Sequence, residues 1–193
     1  MEKKVGLFAV IVICLGLLVY LSASGPPEHL PPPPLPQTSG GSGHSTGQGG
    51  QAQDMKAPDF TLPSLEGESY SLSALKGKPV IINFWSPSCA PCIVEMPAFQ
   101  KLYESMPAES LHILAVTSGP KARAQEIKNE YDLDFPVLLD KDSRVERLYQ
   151  VRSYPMTYII GPDGKVRQAF PGAADWSHSS VIRYLKSLAG QNP

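Results

Sequence analysis

The sequence predicts an α/β domain of three layers: a central mixed β-sheet flanked by helices, preceded by an N-terminal β-hairpin and carrying a helix-strand insertion near 118–139. Three observations lead there. Apolar runs with strand character at 79–85, 111–117 and 135–139 alternate with stretches whose apolar residues recur at helical spacing. The alternation then gives way to two strands around the turn sequence Gly161-Pro162-Asp163-Gly164-Lys165, and a closing amphipathic segment follows. Strands separated by helices pair in parallel and strands joined by a tight turn pair antiparallel, so the sheet has to be mixed.

Taken in order, Ala57-Pro58-Asp59-Phe60-Thr61-Leu62 and Ser69-Tyr70-Ser71-Leu72 form the hairpin across a turn at Leu65-Glu66-Gly67-Glu68. Residues 73–78 turn the chain into Pro79-Val80-Ile81-Ile82-Asn83-Phe84, an apolar run that reads as a buried strand. A helix is expected over 93–103 and a second buried strand over 111–117, with His112 alternating outward into solvent. Ala124, Ile127 and Tyr131 fall on one face of a helix over 121–131, and 135–139 is the next strand. Asp142 is placed to cap a short helix over 143–150 with Val145, Leu148 and Tyr149 inward. The hairpin strands are 156–160 and 166–170. The last helix begins at Asp175 or Ser177 and turns Val181, Ile182, Leu185 and Leu188 to the core.

The 193 residues divide into three parts: 1–24, 25–54 and 55–193. Residues 5–24 are nearly all apolar behind Lys3-Lys4, long enough as a helix for a ~30 Å hydrocarbon core. Charge on the short N-terminal side sends the remainder out of the cytoplasm. Ser22, Ala23 and Ser24 would suit a cleaved signal, but the apolar core exceeds the roughly 7–15 residues usual there, so a retained single-pass anchor is expected. Cys14 then is a small apolar residue in lipid. Pro26-Pro27 and Pro31-Pro32-Pro33-Pro34-Leu35-Pro36 favour polyproline II, and the Gly-rich remainder to residue 54 favours coil, together a spacer between membrane and domain. His29 and His44, isolated in it, suggest no metal.

A formal net charge of −1 with no basic cluster argues against a nucleic-acid surface. With Cys14 in the apolar segment, Cys89 and Cys92 are too few for a disulfide-stapled scaffold. Their place is telling. Cys89-Ala90-Pro91-Cys92 lies between a strand and a helix, so the thiols sit at a helix N-terminus, where unpaired N–H groups and the positive dipole end stabilise a thiolate. A free thiol titrates near about 8.5, and such positions lower it to roughly 3.5–7.5, which gives useful thiolate at neutral pH. Redox chemistry is the leading reading. A zinc site would need two more ligands, and no further Cys or paired His follows.

The ordered set of motifs resembles the thioredoxin superfamily, specifically its exported TlpA/ResA-like branch of thiol-disulfide oxidoreductases, over about Ala57 to Leu188. The set comprises Ala57-Pro58-Asp59-Phe60-Thr61-Leu62, Asn83-Phe84-Trp85, the cysteine pair with Glu95 and Pro97, Tyr154-Pro155-Met156-Thr157, Pro162-Asp163-Gly164-Lys165 and Gly172. The resemblance implies a thioredoxin-like fold, a kink in the active-site helix at Pro97, and a cis-proline at Pro155 beside the cysteines, where a substrate peptide pairs. It implies that Glu95, three residues after Cys92 and on the same helix face, tunes the thiols. Tyr154, Pro155 and Trp85 are the substrate-facing candidates, although packing beneath the site is the plainer role for Trp85. The sequence also departs from the pattern. Asn83 stands where thioredoxins have a proton-relaying aspartate, which shifts that task toward Glu95. Ser88 replaces a tryptophan and is a candidate helix cap, and Ser153 replaces a glycine.

The implied reaction is attack by Cys89 thiolate on a client disulfide and resolution of the mixed disulfide by Cys92, with Glu95 taking the proton. The cysteine pair carries the electrons itself, so no cofactor and no metal are expected. The implied partners are extracytoplasmic clients with disulfides, among them apocytochrome c by analogy, and a membrane electron donor. Two rival readings exist. A peroxiredoxin-like peroxidase shares the layout, but Ile82 sits where its proline belongs. A copper-delivery module would pair the thiolates with His178, the one local candidate.

Overall fold

The computed structural model describes residues 30–33, 55–107 and 110–190. The anchor expected over 5–24, Cys14, His29, His44 and the spacer apart from 30–33 lie outside the described residues. Among the described residues no helix is long and apolar enough to cross a membrane.

A two-stranded antiparallel hairpin, β1 (Thr61–Pro63) and β2 (Ser69–Ser71), precedes a 3-10 turn at Leu72–Leu75. Then follow β3 (Val80–Phe84), α1 (Ala90–Ser105), β4 (His112–Thr117), α2 (Lys121–Glu130), β5 (Val137–Leu139), α3 (Arg144–Leu148), β6 (Met156–Ile160), β7 (Val166–Pro171) and α4 (Ser179–Leu188). The five-stranded sheet runs β5-β4-β3-β6-β7. β3, β4 and β5 are parallel, and β6 and β7 are antiparallel to their neighbours, so the sheet is mixed as the connections require.

Side chains alternate across the sheet with a period of two, and this assigns the layers. Ile81 and Trp85 of the β3 segment, with Ile113 and Ala115 of β4, join Met96, Phe99 and Leu102 of α1, Ile127 of α2 and Val181 and Leu185 of α4 in one core. Val80, Ile82 and Phe84, with Leu114 and Val116, join Phe60 and Leu62 of the hairpin region and Val145 and Tyr149 in the other. Burial on both faces explains why β3 is wholly apolar except at Asn83.

Several boundaries differ from the expectations. α1 starts at Ala90 and runs through Pro97. The short helix α3 is capped by Asp140, two residues earlier than the expected Asp142, and Leu148 on it is 42% exposed instead of inward. Asp140 wins because Ser143, at φ 50°, turns the chain back so that the amides of Arg144, Val145 and Glu146 face its carboxylate. α4 starts at Ser179 with His178 as its cap, because Asp175 Oδ1 is taken by the backbone and hydroxyl of Ser177. His112 is half-buried and has a partner, so it is not simply solvated. One piece of the expected spacer lies against the domain: the Pro31 carbonyl accepts from the Asp175 amide at 2.9 Å, and Pro33 is buried.

Candidate active site

Trp85-Ser86-Pro87-Ser88 carries the chain from the edge of the core into α1. Cys89 is half-buried at the N-cap of α1 and Cys92 is fully buried one turn on, and the two form a disulfide. The cap is the sulfur itself: Cys89 Sγ accepts from the Cys92 amide at 3.3 Å. Ser88, the expected cap, is exposed, and its amide donates to Ser86 Oγ instead. The opening of α1 therefore has a sulfur where most helices have an oxygen, with Pro91 in the first turn, where a missing N–H costs little. Gly119, in the loop after β4, lets this segment pass close by, since a Cβ there would lie 2.5 Å from Pro87 Cδ.

Glu95 is the chemical centre beneath the disulfide. Its side chain is fully buried and its carboxylate accepts three hydrogen bonds: Asn83 Nδ2 to Oε1 at 2.9 Å, Trp176 Nε1 to Oε2 at 2.9 Å, and the Ala174 amide to Oε2 at 3.2 Å. Burial opposes the charge and outweighs these three donors, which favour it, so the acid is pushed up from 4.5 to about 7. Asn83 cannot relay a proton, but it does position the acid, because the same Nδ2 also donates to Thr157 Oγ1 at 2.9 Å across the β3–β6 register. Asn83 Oδ1 is buried with no partner among the described residues. Half a turn of the amide would offer that oxygen to the protonated acid, with the Thr157 hydroxyl donating in place of accepting.

The peptide bond Tyr154–Pro155 is cis, as the resemblance implied. The Pro155 carbonyl accepts from the Gly172 amide at 2.8 Å, and Gly172, at φ 89°, a left-handed conformation that suits glycine, turns the chain toward Ala174 and Trp176. The cis-proline loop and the loop holding Glu95 are thus tied together. Tyr154 is half-buried, and its hydroxyl is held up mainly by burial, with Ser118 and Glu146 facing it. Trp85 is wholly buried in the same core as Cys92, so it offers a substrate no surface; its part is packing.

Sequence reasoning missed Thr157, Ala174 and Trp176. Thr157 follows from the register once β3 and β6 are paired, but the other two lie 79 and 81 residues from Glu95 in a loop without a motif. The rival readings gain nothing. His178 uses Nδ1 against Ser180 and caps α4.

The similarities to known proteins agree with this geometry. The AhpC/TSA family model matches residues 54–169. Over 133 residues the chain is 35% identical to the thiol-disulfide oxidoreductase ResA of Geobacillus kaustophilus, covering 68% of this chain and 75% of that one. Over 127 residues it is 42% identical to the thioredoxin-like protein YneN of Bacillus subtilis, covering 64% and 74%. Among solved structures, the thioredoxin domain of a thiol-disulfide oxidoreductase from Bacteroides vulgatus superposes with a TM-score of 0.62 at 25% identity, covering 69% of this chain and 98% of that one.

Proposed function

The chain belongs to the AhpC/TSA family and to the ResA-like thiol-disulfide oxidoreductases of the thioredoxin superfamily, and from that premise we propose that it reduces disulfides of extracytoplasmic client proteins while tethered to the membrane by residues 5–24. Residues 25–54 act as the linker and 55–193 as the catalytic domain. The observation that carries the reading is the Cys89–Cys92 disulfide at the start of α1, with a buried acid one turn further on.

In the reduced chain, Cys89 thiolate attacks a client disulfide; one client sulfur leaves as thiolate and takes up a proton. Cys92 then loses its proton to Glu95 and attacks Cys89 Sγ. The second client thiol departs and the Cys89–Cys92 disulfide is left, so two electrons pass from the protein pair to the client. An acid held near 7 is a fitting acceptor at neutral pH, because neither its charged nor its neutral form is rare. Half-buried Tyr154 is the client-facing side chain, with the buried cis-Pro155 beside it. A membrane electron donor returns the pair to the dithiol. ResA-type similarity supports extracytoplasmic clients as the substrate class, and apocytochrome c fits that class by chemistry, as a protein whose cysteines must be reduced before use.

Direction of flow is tested by equilibrating the Cys89–Cys92 couple with glutathione. A reductase should sit well below about −120 mV, where strong oxidants lie; a value at or above it would make the protein an oxidase. Trapping with Cys92→Ser should then leave the client disulfide-linked to Cys89.

A further inference from the structure

The proline-rich segment before the domain has no part in the exchange reaction. In the structure, residues 30–33 lie along the loop that leads into α4. Leu30 is half-buried, Pro31 and Pro32 are exposed, and Pro33 is buried. Leu30 and Pro33, three residues apart, are the less exposed pair, which is the spacing at which residues of a polyproline II helix share one edge. Prolines have no N–H to donate, so the segment pairs through a carbonyl: Pro31 O accepts from the Asp175 amide at 2.9 Å.

Asp175 stands between the two residues that hold the acid. The Ala174 amide and the Trp176 indole point inward to Glu95 Oε2, and the Asp175 amide points outward to Pro31. Asp175 Oδ1 is occupied by Ser177, which fixes the other end of the same loop. Three consecutive residues are therefore held from both sides. A polyproline turn suits such a role because its backbone is already extended before it docks, and little entropy is lost.

We propose that the turn of Leu30 and Pro33 is a brace for the active site: seated on the Asp175 amide, it steadies the Ala174 and Trp176 donors and so keeps the Glu95 carboxylate available as a base. Undocking loosens two of the three donors, the neutral acid gains, and Glu95 holds its proton to higher pH. The groups facing Glu95 are Asn83 from β3 and Trp176 and the Ala174 amide from this loop, and Cys92 lies one turn back on its own helix. The three donors are uncharged, so the donors set the balance against burial. The chemical consequence rests on the exchange mechanism proposed above; the docking does not.

The test uses the full-length chain in mild detergent, with Leu30→Ser/Pro33→Ser to remove the docked edge and Pro32→Ser to alter the exposed one. Hydrogen exchange at the Asp175 amide should be slow in the unmodified chain and in Pro32→Ser, and about tenfold faster in the double variant. The acidic limb of the pH profile for exchange with oxidised glutathione should move to higher pH in the double variant, by about one unit for a tenfold gain in proton affinity, and stay in place in Pro32→Ser. Equal Asp175 exchange in all three chains would show that the turn does not dock. Faster exchange with an unmoved limb would show that it docks without bracing Glu95. A chain that fails to exchange disulfides at all would sink the mechanism, and the Asp175 measurement would still report the docking.

Discussion

Two helix starts in this fold solve the same problem in opposite ways. At α3, Asp140 takes the amides of Arg144, Val145 and Glu146 at 3.0, 2.8 and 2.9 Å, a buried carboxylate satisfying three orphan donors at once. At α1 the side-chain cap is Cys89 Sγ, a single weak bond at 3.3 Å. Sulfur is the poorer acceptor, so α1 keeps unspent donor capacity and a positive dipole end beside its cysteines. The five-residue α3 needs its cap because a helix that short has little else to hold it. The sixteen-residue α1 is held by packing, through Met96, Phe99 and Leu102, and leaves its first turn free for chemistry.

Exchanging stability for reactivity at these two caps should therefore separate the two properties, and the largest effect is expected at α3. Asp140→Ala removes three charge-assisted bonds, two of them to buried amides, and should lower unfolding free energy by about 4 kcal/mol in urea. Below its transition it should still exchange disulfides. Cys89→Ser should do the reverse. It abolishes exchange with oxidised glutathione, yet it opens only a very short covalent loop, worth about 2 kcal/mol by chain entropy. An Asp140→Ala chain that is as stable as the parent, or a Cys89→Ser chain that still exchanges, would undo the contrast.

The sheet was largely legible in the sequence because it is buried on both faces. β3, β4 and β6 lie within a residue or so of their apolar runs, since an uninterrupted run between turn residues leaves few other places to put a strand, while the mixed β7 is placed by the turn that precedes it. The helix starts were less legible. Ser88, Asp142 and Asp175 are the residue types that cap helices, but the caps are Cys89, Asp140 and His178, and the choice depends on backbone turns such as Ser143 at φ 50°. In the site, Cys89, Cys92 and Glu95 are a local pattern on one helix. The partners of Glu95 are not, because only the folded chain brings Ala174 and Trp176 to it.

The comparison also extends to what a buried carboxylate costs. Glu95 is raised from 4.5 to about 7, so between those values the folded chain keeps a proton that the unfolded chain has lost. Stability should fall as pH rises through that window, by about 3 kcal/mol in all, and level off above it. Glu95→Gln removes the titration. Its carbonyl can accept from Trp176 and Ala174, and its amide can donate to Asn83 once Oδ1 is turned inward. Urea midpoints measured from pH 4.5 to 8 should slope downward in the parent and lose that component in the variant. The same slope in both chains would mean that Glu95 is not the group responsible.

The smallest effect expected comes from one donor of the acid. Trp176 is fully buried, stacked on Phe99 at 5.0 Å between centroids and 13° between planes, and its Nε1 reaches Glu95 Oε2. Trp176→Phe leaves an aromatic ring to stack but takes away the hydrogen bond, which should cost about 1.5 kcal/mol at pH 8, where the carboxylate is charged, and less at pH 5, where it is neutral. With one donor gone the balance tips further toward burial, so the acidic limb of the exchange profile should move to higher pH. A loss of stability equal at both pH values, with the limb in place, would mean that Trp176 only fills space. A pH-dependent loss would show that this loop is built to hold a charge that comes and goes.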